Sequence, residues 1–136
     1  MAILDINHVH RRLSKMNAAD SQKLRSFDLA QLRSIFESDE AGLNEILRSV
    51  MQDLIQFERR CVASRKEGDQ LAIGKLAHAL IGPSGMSGAE ETCQLAQRLC
   101  DDLRLSGTMS DEIVEGLIGA VRHNLEDLRQ AGFLTA

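Results

Sequence analysis

Gly74-Lys75-Leu76-Ala77-His78-Ala79-Leu80-Ile81-Gly82-Pro83-Ser84-Gly85-Met86-Ser87-Gly88-Ala89 is the stretch around which the chain is organised. At about 100° per residue, Ile73, Leu76, Ala77 and Leu80 fall on one face at the i, i+3, i+4, i+7 spacing of a buried stripe. His78 falls about 150° from the middle of that stripe, on the wet side. Gly74, Gly82 and Gly85 share the side of His78. Each glycine in a helix interior costs about 0.8–1 kcal/mol relative to alanine. Pro83 withholds a backbone N–H and crowds the carbonyl of Ala79. A helix built only for stability would not carry this load around one exposed histidine, so the local rules are broken where a site is expected.

Imidazole is largely uncharged and nucleophilic at neutral pH, which suits phosphoryl transfer to nitrogen. Flanking glycines remove the side chains that would hold a second protein away from the ring. The run from His78 to Ala89 resembles the H-x-L-K-G-x-S-x-x-x-G-A motif of histidine-containing phosphotransfer (HPt) domains. His78, Leu80, Gly82, Ser84, Gly88 and Ala89 match in register. Ile81 stands where the family has lysine, and Pro83 is unusual for it. The broader pattern runs from Phe27 to about Gln130.

The rest of the chain agrees with an all-α fold. It has 136 residues, one proline, four Phe and neither Trp nor Tyr. That is one domain by size, rich in leucine and alanine, without strand-like β-branched runs. Lack of Trp and Tyr argues against single-stranded nucleic acid binding by stacking. No apolar stretch approaches the roughly 20 residues of a membrane span. The start is too short and too acidic for a signal peptide, so a cytoplasmic location is expected. Cys61, Cys93 and Cys100 then read as reduced thiols, the last two packing at the edge of the core. No metal-ligand spacing appears.

Charge is uneven. Residues 1–26 carry five cations, Arg11, Arg12, Lys15, Lys23 and Arg25, against Asp5 and Asp20, giving +3 and leaving −7 to the remainder of a chain of net charge −4. Ile6, Val9, Leu13 and Met16 make residues 3–17 a weak amphipathic helix, with His8 and His10 beside its basic face. This basic extension, 1–26, serves equally as a docking arm, a dimerisation helix or a solvated extension of the body, 27–136.

In that body Asp28 caps a short helix through Glu37, with Leu29, Leu32, Ile35 and Phe36 inward. Ser38 or Asp39 starts a long helix with the stripe Leu43, Ile46, Leu47, Val50, Met51, Leu54, Phe57 and Cys61, ending near Gly68. Asp69 caps the His78 helix, which runs to about Gly85, with Met86-Ser87-Gly88 as the link. Ala89 to Leu105 follows, with Thr92, Ala96, Leu99 and Leu103 inward, and Gly107 breaks it. Ser110 caps the last helix, whose stripe is Val114, Leu117, Ile118, Val121, Leu125 and Leu128; His123 lies opposite it. Four long helices on short loops give an antiparallel up-down-up-down bundle, lidded at one end by the short helix. Ser84, Gly88 and Ala89 let the His78 helix and its successor cross closely.

The resemblance implies that His78 takes a phosphoryl group on Nε2 from a receiver-domain aspartate and hands it to another receiver. The implied partners are response-regulator receiver domains and a hybrid sensor kinase. The receiver supplies Mg²⁺, so the chain needs no cofactor or metal of its own. No Walker-type G-x-x-x-x-G-K-[ST] occurs, so a phosphocarrier rather than a kinase is expected, and a monomer rather than a dimer. Leu71, Ile81 and Met86 are expected to dock the partner. Lys75, about 60° round from His78, stands in for the missing lysine, with Arg98 and Arg104 as weaker candidates. The alternative is a degenerate adaptor of the same fold that binds a partner without carrying phosphate. A DNA-binding regulator fits poorly, since the body is acidic and offers no recognition helix.

Overall fold

The computed structural model describes residues 26–37, 39–131 and 133. The extension predicted over 1–26 therefore lies outside the described residues, apart from Ser26. Five helices follow in order: α1 (Leu29–Ile35), α2 (Glu40–Lys66), α3 (Gln70–Met86), α4 (Glu90–Ser106) and α5 (Asp111–Gln130).

The helix starts are where the side chains put them. Asp28, Asp39 and Asp69 accept the backbone N–H of Gln31, Gly42 and Ala72 at 3.0, 2.9 and 3.1 Å. The Ser110 hydroxyl accepts that of Ile113 at 3.2 Å. Each satisfies an orphan donor of a first turn. α4 starts differently. Its N-cap is Ala89, without a side-chain cap. The Ala89 N–H donates instead to the Ser84 carbonyl at 2.9 Å, and Gly88 to Gly85 at 3.3 Å, closing α3 with a Schellman motif.

Two findings revise the sequence expectation at this corner. α3 runs through Pro83, as expected, but ends at Met86, a residue read as part of the link. Beyond the proline the turn is tied by Ser87, whose N–H and hydroxyl both donate to the Pro83 carbonyl, at 3.1 and 2.8 Å. Gly88 serves the lid rather than the crossing of α3 and α4. Its φ is +71°, and a Cβ there would run into the Cβ and backbone of Asp28. The contact is close because the Asp28 N–H donates to the Ser87 carbonyl at 2.9 Å.

α2 packs against α3 and α5, and α4 against α3 and α5, so the four long helices form a ring in chain order. Short connections alternate their direction, giving the up-down-up-down antiparallel bundle. Its core is Leu47, Val50, Met51, Leu54, Phe57 and Cys61 from α2, Ile73, Ala77 and Leu80 from α3, Ala96 and Leu99 from α4, and the α5 stripe from Val114 to Leu128. α1 covers the end where α3 finishes and α4 begins. Phe27 and Leu32 are buried there, and Gln31 Nε2 donates to the Gly85 carbonyl at 3.2 Å. The lid is narrower than predicted: Ile35 is 54% exposed instead of inward. A seven-residue helix has room for one buried face, and Leu32 takes it. Ser26 ties the approach to α5, donating its N–H to Asp127 Oδ2 at 2.9 Å and accepting Asn124 Nδ2 at 3.3 Å.

Candidate functional site

His78 is the midpoint of α3, eight residues from Gln70 and eight from Met86. Ile73, Ala77, Leu80 and Ser84 turn into the core. The opposite face presents Leu71, Lys75, His78, Ala79, Gly82 and Gly85, all exposed. Leu71 is 65% exposed.

Two thiols set the register of α3 against α4. Cys93 Sγ donates to the Ile81 carbonyl at 3.5 Å, and Cys100 Sγ to the Gly74 carbonyl at 3.8 Å. Both pairs are seven residues apart on antiparallel helices, so each step down α3 matches a step up α4. Gln97 lies on the Cys93–Cys100 row and is exposed. The register puts it level with residue 77, beside the His78 turn. Sequence reading passed over Gln97, because only an interhelical register sets it beside the histidine. The thiols themselves are edge-of-core groups, as expected. Burial pushes both thiols up in pKa, and Glu90 beside Cys93 and Asp101 beside Cys100 push further in the same direction.

The glycines divide. Gly82 is exposed, and a Cβ on it would meet nothing within 4 Å. At Gly85 a Cβ would stand 3.5 Å from Cys93 Sγ, an ordinary contact. Gly74 departs from expectation: it is buried, and a Cβ would lie 2.5 Å from Leu103 Cδ2. It serves the α3–α4 seam and not clearance around the histidine. Ile81 is also less exposed than expected. It and Met86 are half-buried and packed against the core, and Met86 lies within α3 rather than beyond it. Arg104 is on the Cys93–Cys100 row but level with residue 70, and it pairs with Asp101 at 3.3 Å. Arg98 is about 100° round from Gln97, away from the seam. Lys75 is exposed on the same face of α3 as His78.

Residues 31–131 match the family model of the Hpt domain. The chain belongs to the histidine-containing phosphotransfer family. Hpt domains have a phosphotransfer role in two-component systems, as phosphocarriers rather than kinases, and interact there with receiver domains and kinases. Among curated proteins and solved structures nothing matches the chain. Among the described residues of this Hpt domain no helix is long and apolar enough to cross a membrane. Nor does any group of three or more His, Cys, Asp or Glu among them stand where it could hold a metal ion.

On the α2 side of the histidine this Hpt domain has a groove of about 230 Å³ walled by Ile46, Ser49, Val50, Gly82, Pro83 and Met86. Pro83 thus has a second use, as a rigid apolar wall one turn beyond His78. The groove escaped the sequence reading, since half of its wall belongs to a different helix.

Proposed function

We propose that this Hpt domain is a phosphorelay intermediate in the cytoplasm, taking a phosphoryl group on His78 from a receiver-domain aspartate and passing it to another receiver. The supporting observation is an exposed imidazole at the midpoint of a rigid helix, one turn from a glycine with open space above it. Among the described residues nothing stands within 4 Å of where a Cβ on Gly82 would lie, which leaves room for the approach of a second active site.

In this reading Nε2 attacks the phosphorus of the aspartyl phosphate in line with the departing carboxylate oxygen. The N–P bond forms as the P–O bond to the aspartate breaks, and the carboxylate leaves as an anion. The second receiver reverses these steps. The receiver holds the Mg²⁺ that neutralises the oxygens in flight. This chain contributes position, which converts an encounter into a near-attack geometry. Lys75 stands where it can add positive charge, and Gln97 where it can hold the imidazole by a hydrogen bond. Leu71 is the exposed apolar contact, and the Gly82–Pro83–Met86 groove receives an apolar side chain of the receiver. Ile81 acts from beneath as packing.

Incubation with a phosphorylated receiver tests the reading. The wild-type chain should acquire an acid-labile phosphate, and His78→Gln should acquire none while melting as wild type does. Label on the variant at the wild-type rate moves the site elsewhere. No label on either protein selects the adaptor alternative.

A further inference from the structure

The row of α2 that walls the groove beside Gly82 and Pro83 continues past Val50. Asp53 is seven residues from Ile46 and four from Ser49, which places it between the two in azimuth, on the same side of α2. Glu58 and Arg65, which pair with α5, lie more than about 100° round from it. α2 and α3 run antiparallel, and the groove sets Ser49 and Val50 against Gly82 and Pro83. One turn on along α2 and one turn back along α3 bring Asp53 level with His78 and Ala79. Asp53 flanks the histidine from the α2 side as Gln97 does from the α4 side.

The polar members of this row have no partner. Ser49 and Asp53 are both half-buried, yet among the described residues neither side chain makes a hydrogen bond or an ion pair. Glu58 and Asp127, also withdrawn from solvent, each have one, in Arg122 and the Ser26 N–H. Burial raises the Asp53 carboxyl above the ordinary range, and no cation is near enough to lower it. A half-buried charge without a counter-charge costs the free chain stability. A protein docked over His78 would bury it further, and an apolar or acidic surface there would strand it. Only a cation from the partner offsets that cost.

We infer that Asp53 selects the receiver: the docked domain sets a lysine or arginine on the Asp53 carboxylate, beside the apolar side chain it places in the Gly82–Pro83–Met86 groove, with the Ser49 hydroxyl as a further acceptor. The same carboxylate holds a receiver that brings the cation and rejects one that does not, since specificity is a difference between the two affinities. The inference rests on the carrier reading, because the occupant is the receiver that reading requires. It also accounts for an acid that destabilises the free bundle being placed on its working face.

The test uses the receiver domain that delivers label to His78, titrated against the full chain at neutral pH. Asp53→Asn should raise its Kd about tenfold and flatten the dependence of Kd on salt, while melting no lower than wild type. Glu112→Gln removes the same charge from an exposed position on α5, diagonal to α3 in the ring, and should leave Kd unchanged. Single-turnover transfer at saturating receiver should be the same for Asp53→Asn and wild type, since the carboxylate acts on docking and not on the reacting atoms. One lysine or arginine of the receiver, found by alanine scanning, should lose its effect on Kd in the Asp53→Asn background. An unchanged or lower Kd for Asp53→Asn, an equal loss for Glu112→Gln, a slower step at saturation, or a receiver without such a coupled cation overturns the inference while the carrier reading stands. Failure of every receiver to label the wild-type chain overturns both.

Discussion

Gly74 and Leu103 face each other across the α3–α4 seam, so close that a Cβ on the glycine would stand 2.5 Å from the leucine Cδ2. Leu103 is half-buried and the atom met is the end of its side chain, so a methyl can be accommodated by a small shift. Gly74→Ala gains about 0.8–1 kcal/mol of helix propensity against that shift, and we expect a melting temperature close to wild type. Gly74→Leu has nowhere to go and should lose about 1–3 kcal/mol. Denaturant unfolding of both variants checks this, with receiver affinity unchanged for Gly74→Ala.

Gly82 is the opposite case. Gly82→Gln should stabilise the fold by up to about 1 kcal/mol, since it meets no neighbour. It should raise the receiver Kd about tenfold or more by standing in the approach to His78. A thermal melt and a titration with a receiver domain read the two halves. Equal affinity removes clearance as the reason for this glycine.

At position 81 two effects compete. Ile81 packs half-buried on the core, so Ile81→Lys should cost about 1 kcal/mol, part of the roughly 1.5–3 kcal/mol of a fully buried side chain. An ammonium placed one turn from His78 should speed phosphoryl transfer, because charge grows on the equatorial oxygens. Single-turnover transfer at saturating receiver isolates that step. We expect a faster step for Ile81→Lys and a slower one for Lys75→Ala. If neither changes the rate, the receiver supplies all of the cationic assistance.

Asp53 gives the pH prediction. It is half-buried on α2, and burial raises its carboxyl above the ordinary range. The native state then holds a proton over a window where the unfolded chain has released it. Stability from this group is present below the unfolded carboxylate pKa, near 3.9, and is lost as pH rises through the higher folded value. Asp53→Asn should match wild type in melting temperature in acid and exceed it at neutral pH. A variant that melts lower than wild type at neutral pH would mean the carboxylate is a net stabiliser.

Much of the bundle was legible because caps and stripes are local. Asp28, Asp39, Asp69 and Ser110 announce helix starts by chemistry within three residues, and the α5 stripe needs no partner to be seen. His78 was legible for the same reason, as an exposed ring opposite a stripe. What failed lies at the flanks. Gly74 is about 90° from both the core and the outer face of α3, and a single helix does not say which flank receives a neighbour. Gln97 and the Ile46–Pro83 groove both depend on which helix lies beside which. Gly88 was read as a crossing residue because nothing in the sequence says which end of the bundle α1 lids, whereas its contact is with Asp28.

Eight residues of helix on each side put His78 about 12 Å from either end of α3. The macrodipole acts within the first and last turns, so its field at the ring is small. A phosphoryl group on this imidazole is neither drawn by the positive end of the helix nor repelled by the negative one. In the proposed relay the backbone leaves the forward and return transfers unbiased, and the direction of flow is set by the two receivers that compete for the histidine.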